Sequence, residues 1–413
     1  MRGHLGNSSH KAIQRYRQEI DNLNLTFMSS NKSGLNTICT HTGAIEDKTF
    51  QGSVSPLYMS TSYDFMGVDS KRYPRYFNTP NQEHLSKKIA ALEHAEAALI
   101  FGSGMAAISA TLLTFLKSGD HAVIQNDIYG GTRNFIVSHF KNYGIQYSFT
   151  RDLSAEAFEE CIQENTTLIY IETPSNPLLK LVDIFAIAKL AKSRQIITAA
   201  DNTFATPIIQ NPIDLGIDIV IHSATKYFGG HSDISAGAVA SSQEVMDKIW
   251  DLAKDFGGNL SDYTVWLLER SMKTLGIRVK AQQRNAKRLA KFLENNKAVK
   301  AVHYPGLKSN EYHSLAKIQM KGFGAMLSFE LNNHWSSEAF LKALKLIKPS
   351  MSLAGVESTM LLPSKTSHAL LTDAERMEQG ITDQLIRFSV GIETKSDLIE
   401  DIQQAFTACH IKK

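Results

Sequence analysis

The chain has 413 residues, which is long enough for two domains and a large buried core. Hydrophobic residues make up 43% of it and charged residues 21%, as is ordinary for a globular enzyme. The formal net charge of +3 is small for this length, and no apolar run approaches the roughly 20 residues that span a bilayer, so we expect no nucleic-acid partner and no membrane partner.

The N-terminal part of the chain predicts an arm. Residues 1–33 are polar and lack the apolar core of a signal peptide, which favours a cytoplasmic protein. We expect residues 1–70 to form an arm that contacts a neighbouring subunit. The three cysteines, Cys39, Cys161 and Cys409, show no metal-binding or redox spacing, so we expect a reducing compartment, no disulfide framework and no metal site.

From about residue 82 to residue 239, strand-like apolar runs alternate with helix-like segments. This alternation favours an α/β fold in which a mainly parallel sheet has helices on both faces. The predicted elements are a helix at 82–94, a strand at 97–101, a helix at 105–116, strands at 121–125 and 168–172, a helix at 184–191, and strands at 196–201 and 219–222.

The rest of the chain predicts a smaller C-terminal α/β domain. A long helical segment at 262–295, interrupted at Gly276, leads away from the first sheet. The elements predicted beyond it are strands at 325–330 and 385–390 and helices at 337–346 and 396–408. We therefore divide the chain into an arm at 1–70, a large domain at 71–270 and a C-terminal domain at 271–413.

The segment at 219–232, Ile-Val-Ile-His-Ser-Ala-Thr-Lys-Tyr-Phe-Gly-Gly-His-Ser, places Lys226 just after an apolar run typical of a buried strand. A lysine there loses solvation, which lowers its pKa, and a partly neutral amine can form a Schiff base with an aldehyde. Ser223 and Thr225 can donate hydrogen bonds to a phosphate. A lysine beside phosphate donors favours pyridoxal phosphate (PLP) as the cofactor.

The glycine-rich segment at 101–107, Phe-Gly-Ser-Gly-Met-Ala-Ala, lies between a predicted strand and a predicted helix. Its small residues let the backbone approach an anion, and the helix N-terminus offers free amides. The segment also nearly matches the dinucleotide fingerprint G-x-G-x-x-G/A, with Asp120 further along the chain. A nicotinamide-dependent oxidoreductase and a plain tight turn are therefore the two alternatives.

Polar residues follow the carboxyl ends of the predicted strands, where parallel sheets bind their ligands. Glu172 ends one strand and Asp201 another. Asp201 can keep a pyridine nitrogen protonated, although a helix cap or an Asx turn is an alternative. Tyr129 follows a strand and can stack on a flat cofactor, although taken by itself such a residue more often serves packing.

Three further motifs carry polar groups suited to a ligand. Asn176, in the segment at 172–177, can hydrogen-bond a ring hydroxyl. Arg387 is a guanidinium inside an apolar strand, a placement typical of an arginine that holds a substrate carboxylate. Tyr73 and Arg75 precede the sheet in what reads as a surface loop.

Together these segments resemble the PLP-dependent enzymes of cysteine and methionine metabolism, a family of cystathionine γ-synthases, cystathionine γ- and β-lyases and methionine γ-lyases. The resemblance runs from about residue 35 to the C-terminus. It is carried, in the family's order, by Glu-Thr-Pro-Ser-Asn-Pro at 172–177, Asp-Asn-Thr-Phe at 201–204, Ser-Ala-Thr-Lys at 223–226 and Arg-Phe-Ser-Val-Gly at 387–391. It implies the fold of PLP-dependent transferases of fold type I.

The resemblance also implies how the cofactor is held. Lys226 would form the Schiff base with PLP and shuttle protons, Asp201 would pair with the pyridine nitrogen, and Tyr129 would stack on the ring and take part in proton transfer. The residues implied to hold the phosphate are Gly104, Met105, Ser223 and Thr225. The glycine-rich segment then resembles a phosphate cradle, which speaks against the dinucleotide interpretation.

Substrate and assembly follow from the same resemblance. Arg387 would bind the substrate carboxylate, with Asn176 and Ser352 nearby. Tyr73 and Arg75 resemble the pair that reaches the phosphate of the neighbouring subunit. We therefore expect an active unit of at least a dimer, and a homotetramer built from such dimers.

The residue at position 351 bears on the choice of substrate. Cystathionine γ-synthases and γ-lyases usually carry a glutamate there, whereas Met351 is more like methionine γ-lyase, as is the pair at 254–255. Gly131, however, replaces the cysteine usual in that enzyme. We expect a carbon–sulfur lyase that eliminates a thiol from L-cystathionine, L-methionine or a related amino acid. The alternatives are a cystathionine γ-synthase, which joins cysteine to an O-acyl-homoserine, and more distantly the oxidoreductase.

Overall fold

The structure is a computed structural model that describes residues 33–369 and 371–409. Most of the polar stretch at 1–33 therefore lies outside the described residues. Within the described ranges, no helix combines the length and apolar character needed to cross a bilayer. Cys39, Cys161 and Cys409 are free thiols.

A seven-stranded sheet forms the centre of the larger part of the molecule. Its strands are β1 Ala97–Phe101, β2 His121–Ile124, β3 Gln146–Phe149, β4 Thr166–Glu172, β5 Ile197–Asp201, β6 Ile219–His222 and β7 Gly237–Ser241. Their order in space is β1-β7-β6-β5-β4-β2-β3. Of these seven, β7 alone runs opposite to the other six strands, so the predicted, mainly parallel sheet is confirmed.

Helices cover both faces of this sheet because successive strand residues point to opposite sides. Leu99 packs into a cluster with residues of α3 and α7, whereas Ile100 packs into a second cluster with residues of α2 and α8. The helices of this part are α1 Leu35–His41, α2 Pro80–Glu93, α3 Gly104–Phe115, α4 Gly130–His139, α5 Ala155–Cys161, α6 Ile184–Ser193, α7 Gln243–Phe256 and α8 Asp262–Met272.

The remaining elements form a second, five-stranded sheet with helices. Its strands are β8 Val299–His303, β9 Met326–Leu331, β10 Lys348–Pro349, β11 Thr359–Leu361 and β12 Leu385–Ser389, in the order β10-β11-β12-β9-β8. The helices are α9 Leu275–Glu294, α10 His313–Gln319, α11 Ser337–Ala343, α12 Asp373–Gln379 and α13 Lys395–Ala408. The α/β fold is confirmed, and the domain boundaries near residues 70 and 270 stay predictions.

The predicted interruption of the long helix at Gly276 is wrong. The break falls at Lys273 and Thr274, between α8 and α9, and Gly276 is buried in the first turn of α9. A Cβ atom at Gly276 would lie 2.3 Å from the Asn36 side-chain oxygen. The glycine therefore permits the close approach of α1 to α9 and does not end a helix.

Candidate active site

Three neighbouring strands end at the same edge of the large sheet. β4 and β5 are parallel, with Glu172 opposite Asp201, and β5 and β6 are parallel, with Asp201 opposite Ile221. The chain that follows β6, with Ser223 and Lys226, therefore emerges beside Asp201. The structure brings these polar residues together at the carboxyl edge, where such sheets bind ligands.

Lys226 lies in a turn that is joined to the start of β7, because the Thr225 amide donates to the Ala236 carbonyl oxygen at 3.0 Å. Its Nζ atom donates to the Ser352 hydroxyl at 3.1 Å. Burial lowers the pKa of Lys226 to about 8, and the Arg387 guanidinium acts in the same direction. Part of this amine is therefore neutral, and so nucleophilic, near neutral pH.

We expect the cofactor-free protein to react with an aldehyde at Lys226 at a rate that rises with pH around a midpoint near 8, well below the ordinary 10.5. The neutral amine is the attacking form, and its fraction follows this pKa. Pyridoxal, trapped with borohydride and located by mass spectrometry from about pH 6 to about pH 10, measures the profile. A midpoint at the ordinary value would contradict the environment described for Lys226.

Asp201 is a buried carboxylate at the end of β5, with 6% of its surface exposed. Its Oδ1 atom accepts a hydrogen bond from the Thr203 amide at 2.9 Å. Burial raises the pKa of Asp201, and hydrogen bonds from Thr203 oppose that effect. Within the described ranges no cationic side chain forms an ion pair with it, and the nearby His222 is paired with Glu93. Such a carboxylate lacks the partner that a buried charge requires.

The opposite carboxylate, that of Glu172, has a different task. Burial raises its pKa well above the ordinary value, and the Asp201 carboxylate adds to this effect. Its Oε2 atom accepts a hydrogen bond from the Tyr129 amide at 2.7 Å. Glu172 thus fixes the backbone from which the Tyr129 ring projects.

Tyr129 immediately precedes α4, and 42% of its surface is exposed. The ring lies over the next turn, since a Cβ atom at Gly131 would be 2.5 Å from its Cε1 atom. An accessible aromatic ring at the carboxyl edge is suited to stack on a planar ligand. The Tyr129 ring can occupy this position because Gly131 has no side chain.

The glycine-rich segment begins α3 next to the turn that carries Lys226. Ser103 caps the helix, accepting the Ala106 amide at 3.1 Å, and the first helical residues are Gly104 and Met105. A Cβ atom at Gly104 would lie 2.9 Å from the Cβ atom of Ser223. First-turn amides have no partner within a helix, so this close approach forms a cradle suited to a phosphate.

The dinucleotide interpretation fails on the position of Asp120. The carboxylate of Asp120 accepts the Lys117 amide in the turn before β2, at 2.7 Å. It therefore lies at the amino edge of the sheet, opposite to the edge that carries Lys226. The acidic residue needed to bind a ribose is not placed beside the glycine-rich turn.

Arg387 lies in β12 of the second sheet, and 4% of its surface is exposed. Its Nη1 atom donates to the Asn176 side-chain oxygen at 3.1 Å, and its Nη2 atom donates to the Ser352 carbonyl oxygen at 2.9 Å. Burial lowers its pKa to about 10, so it stays charged at neutral pH. No carboxylate pairs with it in the part of the chain that the structure describes, which leaves the guanidinium suited to an incoming carboxylate.

Replacing Arg387 by lysine is expected to raise the KM for an amino-acid substrate by about 10- to 100-fold, with a smaller change in kcat, because an ammonium lacks the planar fork of a guanidinium. Steady-state kinetics measure the two constants. Ser352→Ala is the comparison variant, since it keeps the carbonyl oxygen that accepts from Arg387 and removes only the hydroxyl that accepts from Lys226. An equal rise in KM for both variants would contradict the assignment.

Three predicted site residues lie at the margin of this group. Met351 is 65% exposed beside Ser352. Tyr73 flanks a short 3₁₀ helix, Pro74–Tyr76, and Arg75 within that helix donates from Nη1 to the Lys254 carbonyl oxygen at 2.5 Å. Within the chain, Arg75 therefore contacts the end of α7, and its guanidinium lies 5.7 Å from the centre of the Tyr73 ring. The predicted contact of Tyr73 and Arg75 with a neighbouring subunit stays a prediction.

Sequence reasoning missed two residues that support the site. The Thr203 hydroxyl accepts the Ser223 amide at 2.8 Å and so joins the ends of β5 and β6. Thr203 stands two residues after Asp201, a spacing typical of an Asx turn, so the sequence could have indicated that it supports the site. His368 is buried, and burial lowers its pKa to about 4, so it is a neutral neighbour of Arg387. No local pattern distinguishes this histidine from a packed core residue.

Comparison with known proteins identifies the class to which this site belongs. The family model described as Cys/Met metabolism PLP-dependent enzyme matches residues 36–407. A cystathionine γ-lyase of Bacillus subtilis (strain 168) is 43% identical over 89% of this chain and 98% of its own length. A cystathionine β-lyase of Lactococcus lactis subsp. cremoris is 41% identical over 90% and 99%. An L-methionine γ-lyase of Fusobacterium nucleatum subsp. polymorphum is 39% identical over 91% and 99%.

Solved structures agree in fold. The cystathionine γ-lyase of Lactobacillus plantarum, complexed with L-serine, has a TM-score of 0.87 at 39% identity, covering 91% of this chain and 99% of that one. The cystathionine γ-synthase of Xanthomonas oryzae pv. oryzae, in complex with cystathionine, has a TM-score of 0.88 at 34% identity, covering 92% and 99%. The fold is that of PLP-dependent enzymes of fold type I. The chain belongs to the family of Cys/Met metabolism PLP-dependent enzymes.

The residues present fit pyridoxal phosphate. Asp201 supplies a buried carboxylate that lacks a cationic partner in the described ranges, as a protonated ring nitrogen requires. Because Gly104 has no side chain, the first turn of α3 approaches Ser223 closely, and its free amides are suited to bind a phosphate. Lys226 supplies an amine whose pKa of about 8 suits attachment of an aldehyde.

Proposed function

We propose that this protein is a carbon–sulfur lyase that eliminates a thiol from L-cystathionine, L-methionine or a related amino acid, giving a 2-oxo acid and ammonia. The observation that carries the proposal is the position of Lys226, whose amine shares Ser352 with Arg387 as a hydrogen-bond partner. An amino acid bound by its carboxylate at Arg387 therefore has its α-carbon within reach of the lysine. The names of the three curated relatives support the lyase assignment.

Each residue has a definite part in such an elimination. Bound PLP supplies a protonated ring that withdraws electrons from the substrate's α-carbon. Asp201 would hold the proton on the ring nitrogen, and Tyr129 would stack on the ring. Arg387 orients the substrate carboxylate. Lys226 Nζ takes up the α-proton and can deliver it again, acting as general base and then as general acid.

A cystathionine γ-synthase is the second candidate, favoured by the structural likeness to the Xanthomonas oryzae enzyme. Lyase and synthase share the site built from Lys226, Asp201 and Arg387, so these residues do not separate them. The exposed thioether of Met351 offers no charge to a distal ammonium group, which favours substrates with an apolar end. We infer that activity on methionine accompanies or exceeds activity on cystathionine.

A substrate panel with product identification tests the proposal. Cystathionine that yields 2-oxobutyrate and cysteine shows cleavage at Cγ, and pyruvate with homocysteine shows cleavage at Cβ. Methionine that yields methanethiol and 2-oxobutyrate shows a methionine γ-lyase. Productive reaction of an O-acyl-homoserine with cysteine, and of nothing else, would replace the lyase proposal by the synthase. The Lys226→Ala variant is the blank for each substrate.

The proposed assembly is a homotetramer built from active dimers, in the cytoplasm. The segment at 50–68 supports it, because several large apolar side chains there are exposed to solvent in the single chain. They include Phe50 at 87%, Phe65 at 71% and Met66 at 76% exposure. Apolar surface of this kind is typical of a subunit interface. The free thiols are in keeping with a reducing compartment.

A hybrid experiment tests whether Tyr73 and Arg75 serve the neighbouring subunit. Lys226→Ala and Arg75→Ala are each expected to have low activity alone. In a mixed dimer, one site would combine the intact Lys226 of one chain with the intact Arg75 of the other, so activity should return on mixing after dissociation. A mixture with no more activity than its components would contradict a shared site.

A further inference from the structure

A cavity of about 560 Å³ on the outer face of α9 shares no residue with the candidate active site. It is lined by Arg284, Asn285, Lys287, Arg288 and Lys291 of α9 and by Lys395 of α13. We call it the basic pocket. Five of its six lining residues are cations and none is acidic, and its volume is in the range of small-molecule sites.

The sequence of α9 builds this pocket by its periodicity. Arg284, Lys287, Arg288 and Lys291 are spaced at i, i+3, i+4 and i+7, so they form one exposed stripe. The opposite face of the helix is apolar and buried, as at Leu289. Because the apolar face is packed against the protein, the four basic side chains all lie on the solvent-facing side of the helix.

The second wall of the pocket is held to the first. The Asn285 side-chain amide donates to the carbonyl oxygens of Gly391 at 3.2 Å and Glu393 at 2.8 Å. These bonds tie α9 to the segment that leads into α13. Lys395 is the first residue of α13, a helix of 14 residues, so the positive end of that helix adds to the field of the pocket.

The five cations of the basic pocket have no carboxylate partner among residues 33–369 and 371–409. Some exposed cations elsewhere have carboxylate partners, as in Lys248–Glu244 at 2.8 Å and Lys300–Glu330 at 2.9 Å. Of the ion pairs among the described residues, none includes a cation of the basic pocket. Like charges that share a concave wall repel one another, and a bound anion relieves that repulsion.

The positive surface continues beyond the pocket. Lys287 and Lys291 also line an adjoining cavity of about 650 Å³, together with Lys308 and Lys317. The acidic side chain that lines this second cavity, Glu294, accepts a hydrogen bond from the Ser309 hydroxyl. We propose that the basic pocket binds a small polyanion that carries two or more phosphate groups.

Isothermal titration of the holoenzyme with inorganic tripolyphosphate tests the proposal. We expect saturable binding at low salt that weakens as NaCl is added, because the contacts are ionic and exposed. The variant R288E/K291E should bind about tenfold more weakly or not at all. K189E/K192E is the matched control, since Lys189 and Lys192 are exposed on α6 at the same spacing and the change in net charge is equal.

Retained lyase activity and an unchanged melting temperature show that each variant is folded. K291A/K395A, which removes charge without reversing it, replaces R288E/K291E if that variant is unstable. Equal loss of binding in the pocket variant and the control would overturn the proposal, because it would reflect net charge alone. Binding of RNA or of phosphatidylserine vesicles without any binding of tripolyphosphate would also overturn it.

Discussion

The Lys226→Ala variant is expected to lose about a thousandfold or more of kcat/KM on whichever sulfur amino acid is the best substrate. The amine of Lys226 donates to the Ser352 hydroxyl, and the carbonyl oxygen of the same serine accepts from Arg387. On the proposed mechanism, removing it takes away both the attachment of the cofactor and the base for the α-proton. The loss is read from the rate of 2-oxo acid formation, and from a visible absorbance band of the native protein that borohydride abolishes.

Lys226→Arg separates charge from nucleophilicity. A guanidinium keeps the positive charge near Ser352 but is never neutral in this pH range, so it can neither attack an aldehyde nor take up a proton. We therefore expect it to be as inactive as the alanine variant. Activity near the native level in either variant would show that Lys226 is not the base. A colourless native preparation that contains no PLP would contradict the cofactor assignment itself.

Asp201→Asn is expected to lower kcat/KM by about a hundredfold to a thousandfold without lowering stability. The asparagine oxygen can still accept the Thr203 amide, but the variant loses the charge that we propose holds a proton on the ring nitrogen. Steady-state kinetics measure the first effect, and thermal unfolding of the cofactor-free protein measures the second.

The expected stability change follows from the direction of the pKa shift. Burial raises the pKa of Asp201, so the folded state binds the proton more tightly than the unfolded state. Stability of the cofactor-free protein therefore falls as pH rises through this pKa, and Asp201→Asn removes that loss. Glu172→Gln is the control, because it neutralises the opposite carboxylate, which is also buried with a raised pKa. A variant that is both destabilised and fully active would contradict the role assigned to Asp201.

Much of the large sheet could be predicted because its strands are apolar runs buried on both faces. The strands predicted at 97–101 and 219–222 coincide with β1 and β6. The two strands that were not predicted lack such a run. β7, Gly237–Ser241, consists mostly of small residues, and β3, Gln146–Phe149, is a partly buried edge strand. Their pairing depends on neighbours far away in the chain, which no local pattern reveals.

The residues of the candidate site were predicted from motifs, and the family resemblance implied that Asn176 and Ser352 lie near Arg387, but the hydrogen bonds that join these residues were not predicted. Arg387 and Asn176 are separated by 211 positions, and their hydrogen bond joins the second sheet to a loop of the first. The carbonyl oxygen of Ser352 accepts a hydrogen bond from Arg387, and the φ of Ser352 is 81°. This left-handed conformation is uncommon for residues other than glycine, so the presence of a serine does not predict it. Geometry of this kind arises from tertiary packing, so sequence spacing alone could not specify it.

Ser352 contacts both cations of the site. On the proposed mechanism, the closeness of these two cations would link the binding of the substrate to its own deprotonation. The positive charge of Arg387 is one of the two causes that lower the pKa of Lys226. A substrate carboxylate that pairs with Arg387 offsets this charge, so the affinity of the lysine for a proton rises when the substrate arrives. If Lys226 is the base, the amino acid would thereby strengthen the base that removes its own α-proton, and a molecule without a carboxylate would leave that base weak.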